Sequence, residues 1–322
     1  MLQGLNSNRK SILFPKIKVA VLRGGSSAER RISLRSGRAV YRALKRSGIA
    51  VVNIDPANRE QFHKRIHEVD ILFVALHGAG GEDGSLQKVL EKKGILYAGS
   101  CSRGCRKSFN KLISKRYFEK LGIPTPSYTV IQRSDWQRKA AAFPTPYFVK
   151  PLDGGSSQGV FLVEDFEKSA EKIKRSILRY KKLLIEKKIS GREITAGILG
   201  HKKLPIVEIK PTRAFYDYKA KYTAGQTLYE VPAALSPQIA SKVQKIAWRV
   251  HQGLGLKDFS RVDLMLDAQN RPYVLEVNTI PGLTELSLLP KAARAAGISF
   301  EKLCICVLES AFQRAFKNKK KV

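Results

Sequence analysis

The segment from Ser260 to Asn278 constrains this chain more than any other. Ser260-Arg261-Val262-Asp263-Leu264-Met265-Leu266-Asp267 alternates polar and apolar residues, as a strand with one buried face does. Ala268-Gln269-Asn270-Arg271-Pro272 reads as a turn, and Tyr273-Val274-Leu275-Glu276-Val277-Asn278 as the returning strand. Successive strand side chains point to opposite faces, so Arg261 shares a face with Asp263, and Glu276 with Asn278. Folded back as a hairpin, the ribbon presents two carboxylates, one amide oxygen and a guanidinium together. Hard oxygen ligands of that kind suit Mg2+, which keeps several waters and shares its shell with nucleotide phosphates. An arbitrary polar hairpin face is usually just solvated. Four functional side chains in phase, followed by Thr279-Ile280-Pro281-Gly282, favour the metal-binding reading here.

With 322 residues the chain has room for two or three compact units. No apolar run reaches the roughly 18 residues that a membrane-spanning helix needs. Residues 1–15 are polar and basic, and Ser11-Ile12-Leu13-Phe14 is too short for a signal-peptide core, so a disordered leader on a cytoplasmic protein is expected. The cysteines fall as Cys101/Cys105 and Cys304/Cys306, neither of which has zinc-site spacing. The net charge is +32, from 59 Lys and Arg against 27 Asp and Glu. Such an excess draws anions of every size. Its cations are spread along the chain, however, and no zinc finger or RNA-recognition motif accompanies them, so no specific nucleic-acid partner is expected.

Strand and helix patterns alternate over residues 16–110. Lys18–Leu22, Ala50–Ile54 and Asp70–Leu76 read as strands, and Arg31–Gly48 as an amphipathic helix. This is the grammar of an open parallel sheet, whose ligands gather at the carboxyl ends of the strands. A second unit is expected over 111–195, entered through Leu121-Gly122-Ile123-Pro124, and a third over 196–314, with a basic tail at 315–322.

Several other segments carry groups suited to chemistry. Between Lys150 and Val160 lies Asp153-Gly154-Gly155-Ser156-Ser157-Gln158-Gly159, whose unencumbered backbone N–H groups could close over phosphates. It is not a Walker loop, because no Gly-Lys-Ser/Thr opens a helix. Glu186 and Glu193 frame a turn that could hold an adenine amino group and a ribose, although both also suit a plain surface. Phe215–Tyr222 mixes aromatics with lysines, among them Lys221 and Tyr222. Ser26-x-x-Glu29 fits a capping box opening the first helix, which gives Glu29 an ordinary structural explanation.

In order, the motifs are Gly24-Gly25-Ser26-Ser27-Ala28-Glu29-Arg30, Ala75-Leu76-His77-Gly78, Gly81-Glu82-Asp83-Gly84 and the Lys150–Gly159 loop. Glu186-Lys187, Ser190-Gly191-x-Glu193, Phe215–Tyr222, Arg261-Val262-Asp263 and Glu276-Val277-Asn278-Thr279-x-Pro281-Gly282 with Ser287-Leu288 follow. Together they resemble the D-alanine–D-alanine ligases of the ATP-grasp superfamily, from about Lys18 to Glu309. The resemblance implies an α/β ATP-grasp fold: an N-terminal open parallel-sheet domain and two α+β subdomains that sandwich ATP. It implies ligation of two D-alanines through a D-alanyl phosphate for peptidoglycan synthesis, by a cytoplasmic homodimer. Two Mg2+ (or Mn2+) would be held by Asp263, Glu276 and Asn278. ATP would meet Lys111, Lys150, Ser157, Glu186, Lys187, Glu193 and Lys221. The first D-alanine would meet Glu29 and His77, and the second Ser287 and the Leu288 backbone. Arg261 and the Gly282 N–H would stabilise the oxyanion, while Ser156 and Tyr222 link lid and loop. The sequence departs from the family pattern at Asn110, Gly154, Lys219 and Leu286. Competing readings are a ligase joining D-alanine to D-lactate or D-serine, and a degenerate ligase fold that holds nucleic acid.

Overall fold

The structure is a computed structural model describing residues 17–211 and 227–319. The Phe215–Tyr222 block, with Lys219, Lys221 and Tyr222, therefore lies outside the described residues, as do residues 1–15. The first sheet is parallel, built from β1 (Lys18–Leu22), β2 (Ala50–Ile54), β3 (Ile71–Val74) and β4 (Tyr97–Ala98) in the order β2-β1-β3-β4. Helices α1 (Arg30–Arg46), α2 (Arg59–Arg65) and α3 (Ser85–Lys92) alternate with the strands. Helix α1 buries Ser33, Ser36, Gly37, Val40, Ala43 and Leu44. That spacing makes one continuous face, and its small residues let the helix approach closely.

Helices α4 (Ser102–Phe109) and α5 (Lys111–Lys120) lead into a second, antiparallel sheet. It contains β5 (Tyr128–Gln132), β6 (Tyr147–Pro151), β7 (Phe161–Val163) and β8 (Lys182–Lys187) in the order β5-β8-β6-β7. Helices α6 (Trp136–Ala142) and α7 (Phe166–Tyr180) cover one side, and Ile173 and Ile177 of α7 join Tyr147, Val149 and Ile185 in a separate core. The third sheet comprises β9 (Arg192–Leu199), β10 (Lys202–Lys203), β11 (Val207–Pro211), β12 (Thr227–Glu230), β13 (Phe259–Leu266) and β14 (Pro272–Asn278). Its order is β12-β11-β9-β13-β14, with β10 beside β9. Helix α8 (Pro237–Gly253) precedes β13, while α9 (Leu288–Ala295) and α10 (Phe300–Lys319) close the chain. Strand β9 crosses the expected 195/196 boundary, and α10 extends into the expected basic tail.

The first and third sheets share a core. Phe73 of β3 and Phe259 of β13 lie with ring centroids 6.4 Å apart, and Leu303, Val307 and Leu308 of α10 join Val40 and Leu44 of α1. Burying each such side chain contributes roughly 1.5–3 kcal/mol. A polar tie reinforces the join: Asp258 accepts from Gly99 N at 2.8 Å, Ser310 Oγ at 2.9 Å and Arg314 Nη2 at 2.9 Å.

Behind β13, His251 of α8 is buried, stacked on Trp248, with its Nδ1 2.7 Å from Ser260 Oγ. Burial, assisted by Lys257 and His201, pushes its pKa down to about 4. An unfolded histidine titrates near 6.5, so on acidification the unfolded chain takes up this proton first. Stability from this group is thus fully present above about pH 6.5 and is lost as pH falls to about 4, at up to about 1.4 kcal/mol per unit. Urea unfolding across that window should show the wild-type midpoint falling more steeply than that of His251→Gln. Parallel curves would refute the assignment.

Candidate active site

The ribbon expected from the sequence is present, with β13 paired on both sides. Across β14 the register sets Arg261 opposite Asn278 and Asp263 opposite Glu276, and across β9 it sets Asp263 opposite Thr195. The Asp263 carboxylate is almost fully enclosed. Its Oδ1 accepts from the Thr195 hydroxyl at 2.5 Å and Arg261 Nε at 2.9 Å. Its Oδ2 accepts from Arg261 Nη2 at 2.8 Å and Asn278 Nδ2 at 2.9 Å. A register shift follows Asp263/Leu264, so that Asp263 pairs with Glu276 but Leu264 with Val274. Leu275 is the extra residue, and a bulge there re-aims side chains. Leu275 and Glu276 consequently both line the same cleft, where simple alternation would have hidden one of them.

That cleft, about 520 Å³, lies between the second and third sheets and is lined by Lys111, Lys150, Ser157, Glu186, Lys187, Glu193, Arg261, Asp263, Glu276 and Leu288. At its inner end Glu186 of β8 is buried between two ammonium groups, Lys115 Nζ at 2.6 Å and Lys150 Nζ at 2.5 Å. Burial alone would raise the Glu186 pKa, but Lys150 and Lys115 more than offset it and hold the carboxyl below the usual carboxylate range. Lys115 also donates to Thr125 Oγ1 at 2.6 Å, and Thr125 in turn to the Val274 carbonyl at 2.7 Å, which ties the pocket to β14.

The Gly/Ser-rich loop closes one side of the cleft. Lys111 Nζ donates to the Gly154 carbonyl at 2.8 Å. Asn110 caps α5 by accepting from Ile113 N at 3.0 Å, and its Nδ2 donates to Asp153 Oδ1 at 2.7 Å. An aspartate at 110 could cap the helix equally well but would repel Asp153. The departure at this position therefore adds a bond to the loop. Gly154 has φ +111°, and Ser156 and Ser157 occupy the left-handed region at φ 53° and 57°. Strain of this kind in non-glycine residues is concentrated at functional segments.

The capping-box expectation for Ser26 and Glu29 is not met. Glu29 is itself the N-cap residue of α1, and its side chain makes no capping bond. Its Oε2 instead accepts from Ser156 Oγ at 2.6 Å, which draws the loop onto the first sheet's carboxyl edge. A Cβ on Gly155 would stand 2.9 Å from Glu29 Oε1, so a larger residue there would push the Glu29 carboxylate aside. His77 lies close by, since a Cβ on its neighbour Gly78 would be 3.3 Å from the same oxygen. Beyond β14, a Cβ on Gly282 would come within 2.8 Å of Ser287 Oγ. Ser287 is the N-cap of α9 and Leu288 its first residue, where a helix terminus favours negative charge. The Ser287 hydroxyl lies 2.8 Å from Thr284 Oγ1. Leu286 is 76 % exposed on the turn before Ser287.

The expected residues Glu29, His77, Lys111, Lys150, Ser156, Ser157, Glu186, Lys187, Glu193, Arg261, Asp263, Glu276, Asn278, Gly282, Ser287 and Leu288 thus gather around one cleft and its rim. Sequence reasoning passed over Lys115, Thr195 and Ser36. Lys115 could have been found, because it lies four residues beyond Lys111 on the same face of α5. Among the described residues no group of three His, Cys, Asp or Glu could hold a metal. The β13–β14 donor set differs in using an amide as its third member, and its all-oxygen chemistry fits a hard divalent cation.

Comparison with known proteins agrees with this geometry. The model of the D-ala D-ala ligase C-terminus matches residues 117–309, and that of the N-terminus matches residues 55–100. The D-alanine–D-alanine ligase of Methylacidiphilum infernorum is 43 % identical over 92 % of this chain and 96 % of its own. That of Acinetobacter baumannii (strain AYE) is 40 % identical with the same coverage. A crystal structure of the Bacillus anthracis D-alanine–D-alanine ligase complexed with ATP superposes with a TM-score of 0.82. It is 31 % identical and covers 94 % of this chain and 99 % of that one. The three sheets and their cleft are the ATP-grasp architecture. Within that class, the chain belongs to the D-alanine–D-alanine ligase family.

Removing one partner of a buried ion pair leaves an uncompensated charge, at a cost of about 3 kcal/mol or more. Lys115→Met leaves Glu186 with Lys150 as its remaining partner, so it should lower urea-unfolding stability by about 1.5–3 kcal/mol, the size of one hydrogen bond to a charged group, and adding Glu186→Gln should recover part of the loss. A single variant as stable as wild type would show that the Glu186–Lys115 pair is not structural.

Proposed function

We propose that this protein joins two D-alanines at the expense of ATP to give D-alanyl-D-alanine, ADP and phosphate for peptidoglycan precursors. One observation carries the reading: Asp263, Glu276, Asn278 and Arg261 stand in phase on one ribbon, facing a cleft whose other walls supply Lys111, Lys150 and the Gly154–Ser157 loop. Family membership supports the same activity.

The nucleotide base would enter beside Glu186, whose ionised carboxylate accepts from an exocyclic amine. Lys150 and Lys111 would meet the phosphates, with the loop N–H groups above them. Mg2+, two ions replaceable by Mn2+ and held by Asp263, Glu276 and Asn278 with phosphate oxygens, would neutralise charge on the triphosphate. Glu29 binds the ammonium of the first D-alanine, beside His77. The carboxylate oxygen of that D-alanine attacks the γ-phosphorus, the bond to the ADP oxygen breaks, and an acyl phosphate forms. Ser287 and the Leu288 N–H receive the carboxylate of the second D-alanine. Its free amine attacks the acyl carbonyl, giving a tetrahedral oxyanion next to Arg261 and the Gly282 N–H. Collapse expels phosphate and leaves the peptide bond. Donors fixed in advance at the developing charge contribute most in a water-poor site. The Ser156–Glu29 bond helps make it one, because an acyl phosphate exposed to water would hydrolyse. Lys221 and Tyr222 belong to this proposal from the sequence alone. The homodimer and the cytoplasmic setting rest on family resemblance. None of the described helices is long and apolar enough to cross a membrane.

With Mg-ATP, purified protein should release phosphate in step with D-alanine, and mass spectrometry should find the D-alanyl-D-alanine dipeptide. D-lactate or D-serine offered with D-alanine should not displace D-alanine as acceptor. Glu276→Gln should abolish phosphate release while keeping the wild-type melting temperature. Full activity in that variant would remove Glu276 from the metal site.

A further inference from the structure

Helix α1 carries two buried serines, Ser33 and Ser36, for which the ligation chemistry has given no role. Both grip His77. Ser33 Oγ accepts the His77 backbone N–H at 2.9 Å, and Ser36 Oγ lies 2.8 Å from the ring Nε2. The same Ser36 oxygen accepts the backbone N–H of Leu283 at 3.3 Å, the residue next to Gly282. On the other side of the ring, Nδ1 stands 3.9 Å from Glu82 Oε1, while Glu82 Oε2 accepts the Gly78 N–H at 2.8 Å. A single buried hydroxyl therefore touches two loops distant in sequence, one after β3 and one after β14.

A serine hydroxyl has one proton to give and lone pairs to receive. Ser36 receives from Leu283 with one lone pair and keeps a second lone pair as well as its proton, so that bond alone does not choose the ring tautomer. Glu82 does: its carboxylate faces Nδ1 and favours the ring proton there, and Nε2 then accepts the Ser36 proton. The other tautomer would turn a bare nitrogen lone pair towards that carboxylate, an unfavourable arrangement. Which ring nitrogen of a histidine is protonated is set by the bond the other one makes.

We propose that Ser36 is a positioning residue: by donating to Nε2 it helps Glu82 hold His77 as the Nδ1–H tautomer, and it suspends the first-substrate loop and the Gly282–Leu283 oxyanion loop from one atom of α1. Glu29 sits at the start of the same helix. The seat of the first ammonium and the seat of the oxyanion are thereby held at a constant separation, and small misplacements there are costly to the rate. The kinetic consequence rests on the ligase reading; the tautomer does not.

Full-length protein carrying 15N-labelled histidine provides the first test. His77 is assigned among the five histidines by its absence in His77→Gln. Ligand-free wild type should show the Nδ1–H pattern, Ser36→Ala should shift towards a mixture, and Ser36→Thr should resemble wild type. An Nε2–H pattern in wild type overturns the proposal without any variant. In turnover, Ser36→Ala should lower kcat/KM for D-alanine about tenfold or more, tenfold corresponding to about 1.4 kcal/mol, which is the size of one buried hydrogen bond. KM for ATP should stay within about twofold, and Ser36→Thr should regain most of the loss. Unchanged D-alanine kinetics, or a loss shared equally by ATP affinity and melting temperature, would reduce Ser36 to packing. Wild type that releases no phosphate with D-alanine would sink the ligase reading instead, and the tautomer measurement would still decide the clamp.

Discussion

Asp263 is the residue on which the rest of the site depends. It belongs to β13, but Thr195 of β9, Arg261 of its own strand and Asn278 of β14 all donate to it. These bonds hold the carboxylate and the guanidinium that shares it in one orientation. Pairing of β13 on both sides brings these positions beside Asp263 through backbone register, and the side chains there supply the donors. The third sheet thus delivers a preorganised anion-and-cation pair to the cleft before any ligand arrives.

Charge balance organises the opposite wall. Glu186 lies between Lys115 and Lys150, which makes an ionised carboxylate tolerable where solvent is excluded. The two lysines differ in their surroundings. Lys115 is almost completely buried and bonded onward to Thr125, whereas Lys150 reaches into the open cleft. One ammonium is committed to the fold and the other faces the cleft. The loop over that space is held at both ends, by Asn110 and Lys111 from α5 and by Glu29 from α1. The second sheet has its own core, while the first and third share theirs. The cleft accordingly opens between a two-sheet body and a smaller unit.

Local pattern made much of this legible. Period-two alternation located β13 and β14 to within a residue or two, and phase alone put Arg261 with Asp263 and Glu276 with Asn278. The unit entry at Leu121–Pro124, just after α5, and the loop around Gly154 followed from Gly, Pro and Ser placement. Three features escaped. The bulge at Leu275 cannot be read from alternation, because it depends on the partner strand. The capping-box pattern at Ser26 and Glu29 was a sound local inference, yet Ser156, more than a hundred residues away in the chain, took the carboxylate. The buried pair of Lys115 and Glu186 was missed because a lysine on a helix is ordinarily solvated.

By itself the sequence determined which residues share a strand face, where the Gly/Ser-rich loop lies, and that two carboxylates and an amide occur in register on one ribbon. These are short-range consequences of backbone geometry. Only the tertiary structure decided who receives each proton and charge: Glu29 the Ser156 hydroxyl, Asp263 the Thr195 hydroxyl, Glu186 two lysines, His77 the Ser36 hydroxyl. The reason is physical. A polar group's partner is chosen by what burial brings within about 3 Å of it, and residues distant in the chain become neighbours only when the sheets and helices pack.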